Sequence, residues 1–305
     1  MTFQESSVRQ PCEPLSLSQI ESRLGSCTCL PSLGSIEKAL KELLGADQRY
    51  TSQIAEIIRR DPSLTARLLR MVNAVHYGLS MRIRSIEEAV FYIGIRQVRQ
   101  LAMVTPIIKD FQIVASQARV EWRGFWRHCI GTALMTRDIL DLVQTQQSEL
   151  DYVAGLIHDV GKIVMASAFP DHFAEIYIQR SEADMELSEL EREVLGVDHA
   201  ELGALYLRSQ SLPSEYVDIV QFHHQPDKAP SHGEVAAAVQ VADLLVQEGK
   251  IGYSGRLPVT KPDLWCQSTG WKMLFGNRTE EENAVSRASL KKNLERVPAT
   301  LERLI

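Results

Sequence analysis

Apolar residues recur along the chain at intervals of three and four, and the strict alternation that specifies half-buried strands is scarce. In SQIAEIIRRDPSLTARLLRMVNAVHYG the pattern predicts two helices on either side of Asp61-Pro62. That pair supplies an N-cap and a proline suited to a first turn. Leu64, Leu68, Leu69 and Val72 then repeat at helical spacing. Next, in SIEEAVFYIGIRQVRQLAM, Ser85 and Glu88 form the Ser-x-x-Glu pattern of a capping box, which Ser188 and Glu191 repeat before LEREVLGVDHAELGALYL. Prolines 106, 170, 213, 226 and 230 fall where helical periodicity stops. The pattern therefore predicts an all-α protein.

Four stretches differ in character. Residues 1–29 read as a polar leader, and 30–115 as a subdomain of short amphipathic helices. Residues 116–250 carry most of the histidines, and 251–305 open as a Gly/Pro/Ser-rich loop and close in an amphipathic helix from about Glu280. Neither an internal repeat nor a low-complexity tract interrupts them.

At 305 residues and 45% hydrophobic content the chain can bury a sizeable core, as one large domain or two smaller ones. A formal charge of −6 argues against wholesale electrostatic binding to nucleic acid or an anionic membrane. The amino terminus lacks the basic and apolar regions of a signal peptide, and no apolar run approaches the ~18 residues of a membrane span. Five scattered cysteines suit a reducing compartment better than a disulfide framework. These features predict a cytoplasmic protein with no membrane partner.

Chemistry concentrates in the third stretch, where ionisable side chains interrupt apolar helices. FWRHCIGTALM holds His128 beside Gly124, Gly131 and Thr132, small residues that leave space at the helix surface. GLIHDVGKIV reads as the buried face of one helix carrying His158 and Asp159, with Lys162 four residues beyond His158 on the same face. EVAAAVQVADLLVQE has Asp243 as the only charge between Glu234 and Glu248, and His199, His223 and His224 follow the same habit in GVDHAELG and VDIVQFHHQP.

A lone buried carboxylate costs several kcal/mol unless a partner compensates it. A divalent metal could satisfy aspartates and histidines together, since both ligate zinc, iron, manganese and nickel. His128, His158, Asp159 and Asp243 would make one site; His199 with His223 or His224 could bind a second ion, with Asp159 as bridge. Two such ions would suit hydrolysis of a phosphate ester, with Lys162 steadying developing negative charge. Blander readings stand beside this one. Any single histidine could be a satisfied core residue, Asp159 could pair with Lys162 or an arginine, and Asp243 could cap another helix. Cys12, Cys27 and Cys29 lack a second pair at zinc-ribbon spacing, His76 reads as structural, and the acid-rich SEADMELSELERE reads as a solvated helix face.

LPSLGSIEKAL, DPSLTARLLRMVNA and SIEEAVFYIGIRQVRQL resemble the HDOD family, the HD-related output domains of bacterial signalling, over about Leu30 to Gln225. HDVGK extends the likeness to the HD phosphohydrolase superfamily, in which a histidine, the His-Asp doublet and a later aspartate hold metal; His128, His158, Asp159 and Asp243 match those positions in order. HAELGALYL followed by IVQFHHQP also looks like the HD-GYP phosphodiesterases, where further histidines extend the metal centre. The chain departs from them in HHQPDKAPSHGE, which lacks both the acidic residue after the paired histidines and the Gly-Tyr-Pro loop. The resemblance implies an amino-terminal helical subdomain packed on an HD-like helical bundle.

Two functions follow from the same ligands. One is a signalling or regulatory protein that binds one or two divalent ions (Fe, Mn, Zn or Ni), a phosphorylated small molecule and a signalling protein partner. The other is an active metal-dependent phosphohydrolase or phosphodiesterase acting on a nucleotide or other phosphate ester, with Asp159 and Lys162 as its catalytic residues. Residues 53–103 carry eight arginines against four acidic residues, yet nucleic acid is not an expected partner, because a footprint needs those arginines on one exposed face.

Overall fold

The computed structural model describes residues 11–27, 69, 73, 83–90, 122–143, 150–180, 185–210, 212–255 and 262–304. Among these residues the regular structure is helical, with no strand. Most of the 30–115 subdomain, including Asp61-Pro62, His76, Pro106 and all but one of the arginines at 53–103, lies outside them. Within that stretch the Asn73 side chain donates to the Leu69 and Ile83 carbonyls and accepts from the Ile83 amide. Ser85 and Glu88 do share a cap. The Ser85 hydroxyl accepts from the Glu88 amide, while the Glu88 carboxylate accepts from the Arg84 amide.

The segment read as a polar leader contains a helix, α1 (Leu17–Ser26), with Ile20 and Leu24 buried. Leu15 donates its amide to the Leu195 carbonyl, and Arg23 donates to the Ala168 carbonyl, so this helix is tied to the bundle. Only two of its apolar positions face inward, too few for a signal in so polar a stretch.

The bundle is built from α2 (Trp122–Leu142), α3 (Leu150–Ile157), α4 (Val160–Ala168), α5 (Pro170–Gln179), α6 (Leu187–Leu195), α7 (His199–Ser209), α8 (Ser214–Phe222) and α9 (Gly233–Glu248). α9 runs against α2, α3 packs on α2, and α7 packs on both α4 and α8. Small residues set these approaches. A Cβ at Gly155 would lie 2.7 Å from the Ala133 Cα, which brings α3 onto the backbone of α2. A Cβ at Gly161 would lie 1.8 Å from the His199 carbonyl oxygen, so α4 crosses α7 with no room for a side chain. Gly131 meets Val246 and Ile251, and the Gly124 carbonyl accepts the Tyr253 amide. The small-residue face of α2 is thus filled by α9 and its following loop, and does not form open space.

Pro170 opens α5, Pro213 precedes α8, and Pro226 starts a short 3-10 turn. Beyond residue 251 the chain completes the bundle. α10 (Thr269–Phe275), α11 (Glu280–Leu294) and α12 (Val297–Leu304) bury Trp271, Phe275, Leu290, Val297 and Leu301. Thr279 and Glu282 form the capping box of α11, and Arg278 donates to the Leu142 carbonyl at the end of α2. Among the described residues no single helix is long and apolar enough to cross a membrane.

Candidate metal centre

GLIHDVGKIV does not form one helix. α3 stops at Ile157 and α4 starts at Val160, leaving His158 and Asp159 in the break. The His158 ring accounts for it locally: its Nδ1 lies 2.8 Å from the Gly155 carbonyl, the acceptor that a continuing helix would offer to the Asp159 amide. A carbonyl can only accept, so Nδ1 carries the proton and Nε2 is left with a lone pair in the neutral ring. Asp159 is the N-cap of α4 but its carboxylate makes no cap bond, which leaves both oxygens to face the bundle interior.

His223 repeats the device. It follows α8, its Nδ1 lies 2.7 Å from the Val220 carbonyl, and its Nε2 points inward. His199 starts α7, whose N-cap Asp198 accepts from the Glu201 amide. His128 and Asp243 come from the interiors of α2 and α9 and approach to 3.0 Å. Six of these site side chains, His128, His158, Asp159, His199, His223 and Asp243, are buried at 3% exposure or less, whereas His224 is half-buried.

The other six predicted ligands gather about Asp159, directly or through one another. Its Oδ2 lies 3.4 Å from His158 Nε2 and 3.8 Å from His128 Nε2, and its Oδ1 lies 3.3 Å from His199 Nε2 and 4.0 Å from His223 Nε2. His158 Nε2 is also 3.8 Å from Asp243 Oδ1, and His224 Nε2 is 2.9 Å from His199 Nε2. Two donor groups result: His128, His158 and Asp159, and His199, His223 and His224, with the ligand atoms of each within 4.8 Å of one another. Lys162 does not stand over His158. Its Nζ sits 2.7 Å from Asp159 Oδ2, the pairing that the sequence left open.

These residues fit a divalent cation on the chemistry of the donors themselves. The Nε2 atoms of His158 and His223 are buried with no hydrogen-bond partner, a costly state for polar atoms that converge on carboxylate oxygens, and His128 Nε2 faces Asp243 Oδ1. Burial holds His128 below its ordinary pKa despite Asp243, and holds His223 well below, with the charges of His158 and His199 acting the same way. Both are therefore neutral at pH 7, as ligation requires. Burial pushes the Asp159 carboxyl up, but the neighbouring His158 and Lys162 outweigh it and hold it well below the carboxylate range. For His199 burial lowers the pKa and the Glu191 carboxylate more than reverses it.

The sequence reading missed two supporting residues. Glu191 is not the partner of Ser188 in a capping box, and its stretch is not wholly solvated: α6 has Glu186 as N-cap, and Glu191 is buried with Oε2 2.9 Å from the His199 amide. Its place among Leu187, Leu190, Val194 and Leu195 on one helix face was the available signal. Gln247, four residues after Asp243, donates to Asp243 Oδ1 at 2.7 Å.

The helical bundle thus gathers five imidazoles and two carboxylates in its interior. Sequence comparison gives its family: the HDOD domain matches residues 30–226, more than half of the chain, which therefore belongs to the HDOD family. An uncharacterized protein of Treponema pallidum (strain Nichols) is 26% identical over 215 residues, 69% of this chain. The chain spans 40% of that curated relative's length. An HDOD domain protein of unknown function from Geobacter sulfurreducens superposes with a TM-score of 0.75 at 21% identity, over 95% of this chain and 99% of that one. A Shewanella amazonensis SB2B protein, named provisionally as a phosphohydrolase, gives 0.67 at 20% identity over 94% and 98% of the two chains. At these identities the two structural likenesses show the shared fold.

Proposed function

We propose that this HDOD protein is a bacterial signalling regulator whose bundle holds one or two divalent ions, drawn from Fe, Mn, Zn and Ni. The convergence of four buried imidazole Nε2 atoms, of His128, His158, His199 and His223, on the two oxygens of Asp159 carries the reading. His128, His158, Asp159 and Asp243 would hold one ion. His199, His223, His224 and the other oxygen of Asp159 would hold the second. The near-complete burial of the donors favours a regulatory role, in which the ions fix the helices that a phosphorylated small molecule or a signalling protein partner then senses.

The second reading, hydrolysis of a phosphate ester, is favoured by the bridging position of Asp159 beside Lys162. A bound pair of ions would polarise a phosphoryl group and supply hydroxide. Lys162 would hold Asp159 ionised and neutralise charge at Oδ2. Elemental analysis of the full chain, purified without chelator, should find a divalent metal; its absence would overturn both readings. Turnover of phosphodiesters or nucleotides that is lost in Asp159→Ala would establish the enzyme. Metal without turnover across a broad panel would establish the regulator.

A further inference from the structure

Glu191 stands outside the donor set yet is buried against it. It reaches the bundle from α6, and one oxygen meets two nitrogens of His199: the amide at 2.9 Å and the ring Nδ1 at 2.5 Å. The same turn is fastened at both ends. Asp198 caps α7 through the Glu201 amide, and Arg192, next to Glu191, pairs with Asp198. Gly196, in the α6–α7 connection, takes a left-handed φ of 103°, and a Cβ there would lie 2.3 Å from the Leu15 carbonyl oxygen. His199 differs here from His158 and His223, whose Nδ1 atoms are held by carbonyls of the helices they terminate. His199 begins its helix, where no preceding helical carbonyl is available, and a carboxylate from another helix does the work.

We infer that Glu191 is a positioning residue: it accepts a hydrogen bond from Nδ1 of His199 and turns Nε2 toward Asp159 and His224. The inference rests on the metal-holding reading above and adds which residue sets the affinity of the second ion. An ionised carboxylate on Nδ1 fixes the tautomer and raises the basicity of Nε2, and removing such a partner weakens metal binding. The first donor group, on α2, α9 and the α3–α4 break, makes no use of Glu191. Its affinity should be independent.

The full-length protein and its Glu191→Leu and Glu191→Gln variants would be titrated with Co²⁺ alone, following both binding steps by visible absorption and calorimetry. The expected result for Glu191→Leu is a second ion weakened about tenfold to a hundredfold, with the first unchanged. Glu191→Gln, which keeps a carbonyl acceptor, should lose less. Equal weakening of both steps, or no change in either, would overturn the inference. In parallel, nitrogen-15 spectra of the metal-free proteins at alkaline pH report the His199 tautomer. A proton on Nδ1 in the wild type that is redistributed in Glu191→Leu supports the role; identical spectra overturn it. Should the wild type bind fewer than two ions, the two-ion reading fails on the titration, and the metal-free spectra alone decide the role of Glu191.

Discussion

The two donor groups around Asp159 are built in different ways. The group of His128, His158 and Asp243 joins helices far apart in sequence, α2 and α9, around the α3–α4 break, and its side chains are closed off from solvent. The group of His199, His223 and His224 comes from the neighbouring helices α7 and α8, and His224 is half-buried. The first group is held by core packing and by a helix carbonyl. The second depends on a side chain, Glu191, that must be folded into place from α6. The difference teaches that one cluster of ligands can contain a half fixed by the fold and a half fixed by one buried contact, with Asp159 as their common member.

The largest effect expected is from removing that member. Asp159→Ala should abolish binding at both groups and leave Lys162 as a buried, unpaired cation, at about 3–5 kcal/mol in urea denaturation with chelator present. A loss confined to one group would break the symmetry assigned to Asp159. Next in size is Gly161→Ala, which forces α4 away from the His199 carbonyl and should cost about 3 kcal/mol. Its counterpart on the first group, Gly131→Ala, meets only the Val246 and Ile251 side chains at 3.2–3.3 Å, and should cost about 1 kcal/mol. Reversal of that order would place the tighter backbone contact in the wrong half.

Acid titration separates the scaffold from the site between these two in size. Asp138, on the helix that carries His128, has its pKa raised to about 6 by burial and by Asp141, against a hydrogen bond from Asn293. The folded state therefore holds its proton more tightly than the unfolded chain. The stability this gives is complete below the unfolded value of 3.8 and is lost as pH rises toward about 6. Denaturation across that window should show about 2 kcal/mol of decline, which Asp138→Asn abolishes. A slope that survives in Asp138→Asn would show that another carboxyl carries it.

How much of this was legible depended on which residues broke a local rule. His128, His158, Asp159 and Asp243 stood out because each is ionisable within an apolar run, and HHQP placed two imidazoles together. The helix break at His158 was not legible: neither Gly nor Pro marks it, and its cause is a ring nitrogen taking a backbone carbonyl. Glu191 was hidden for the opposite reason, since one buried carboxylate in an acidic helix resembles its exposed neighbours Glu189 and Glu193. α1 and the helices after residue 251 were partly missed because their buried positions are few, and their partners, such as Leu195 and Leu142, are distant in sequence.

The most direct test is diffraction from crystals of the full chain, with data collected on either side of the absorption edge of whichever metal elemental analysis finds. Anomalous density between Asp159 and the Nε2 atoms of His128 and His158 is the expected result, with a second peak between Asp159 Oδ1 and His199. A map without density there, in which His158 and His223 each give Nε2 to a separate hydrogen bond, would contradict the metal centre outright.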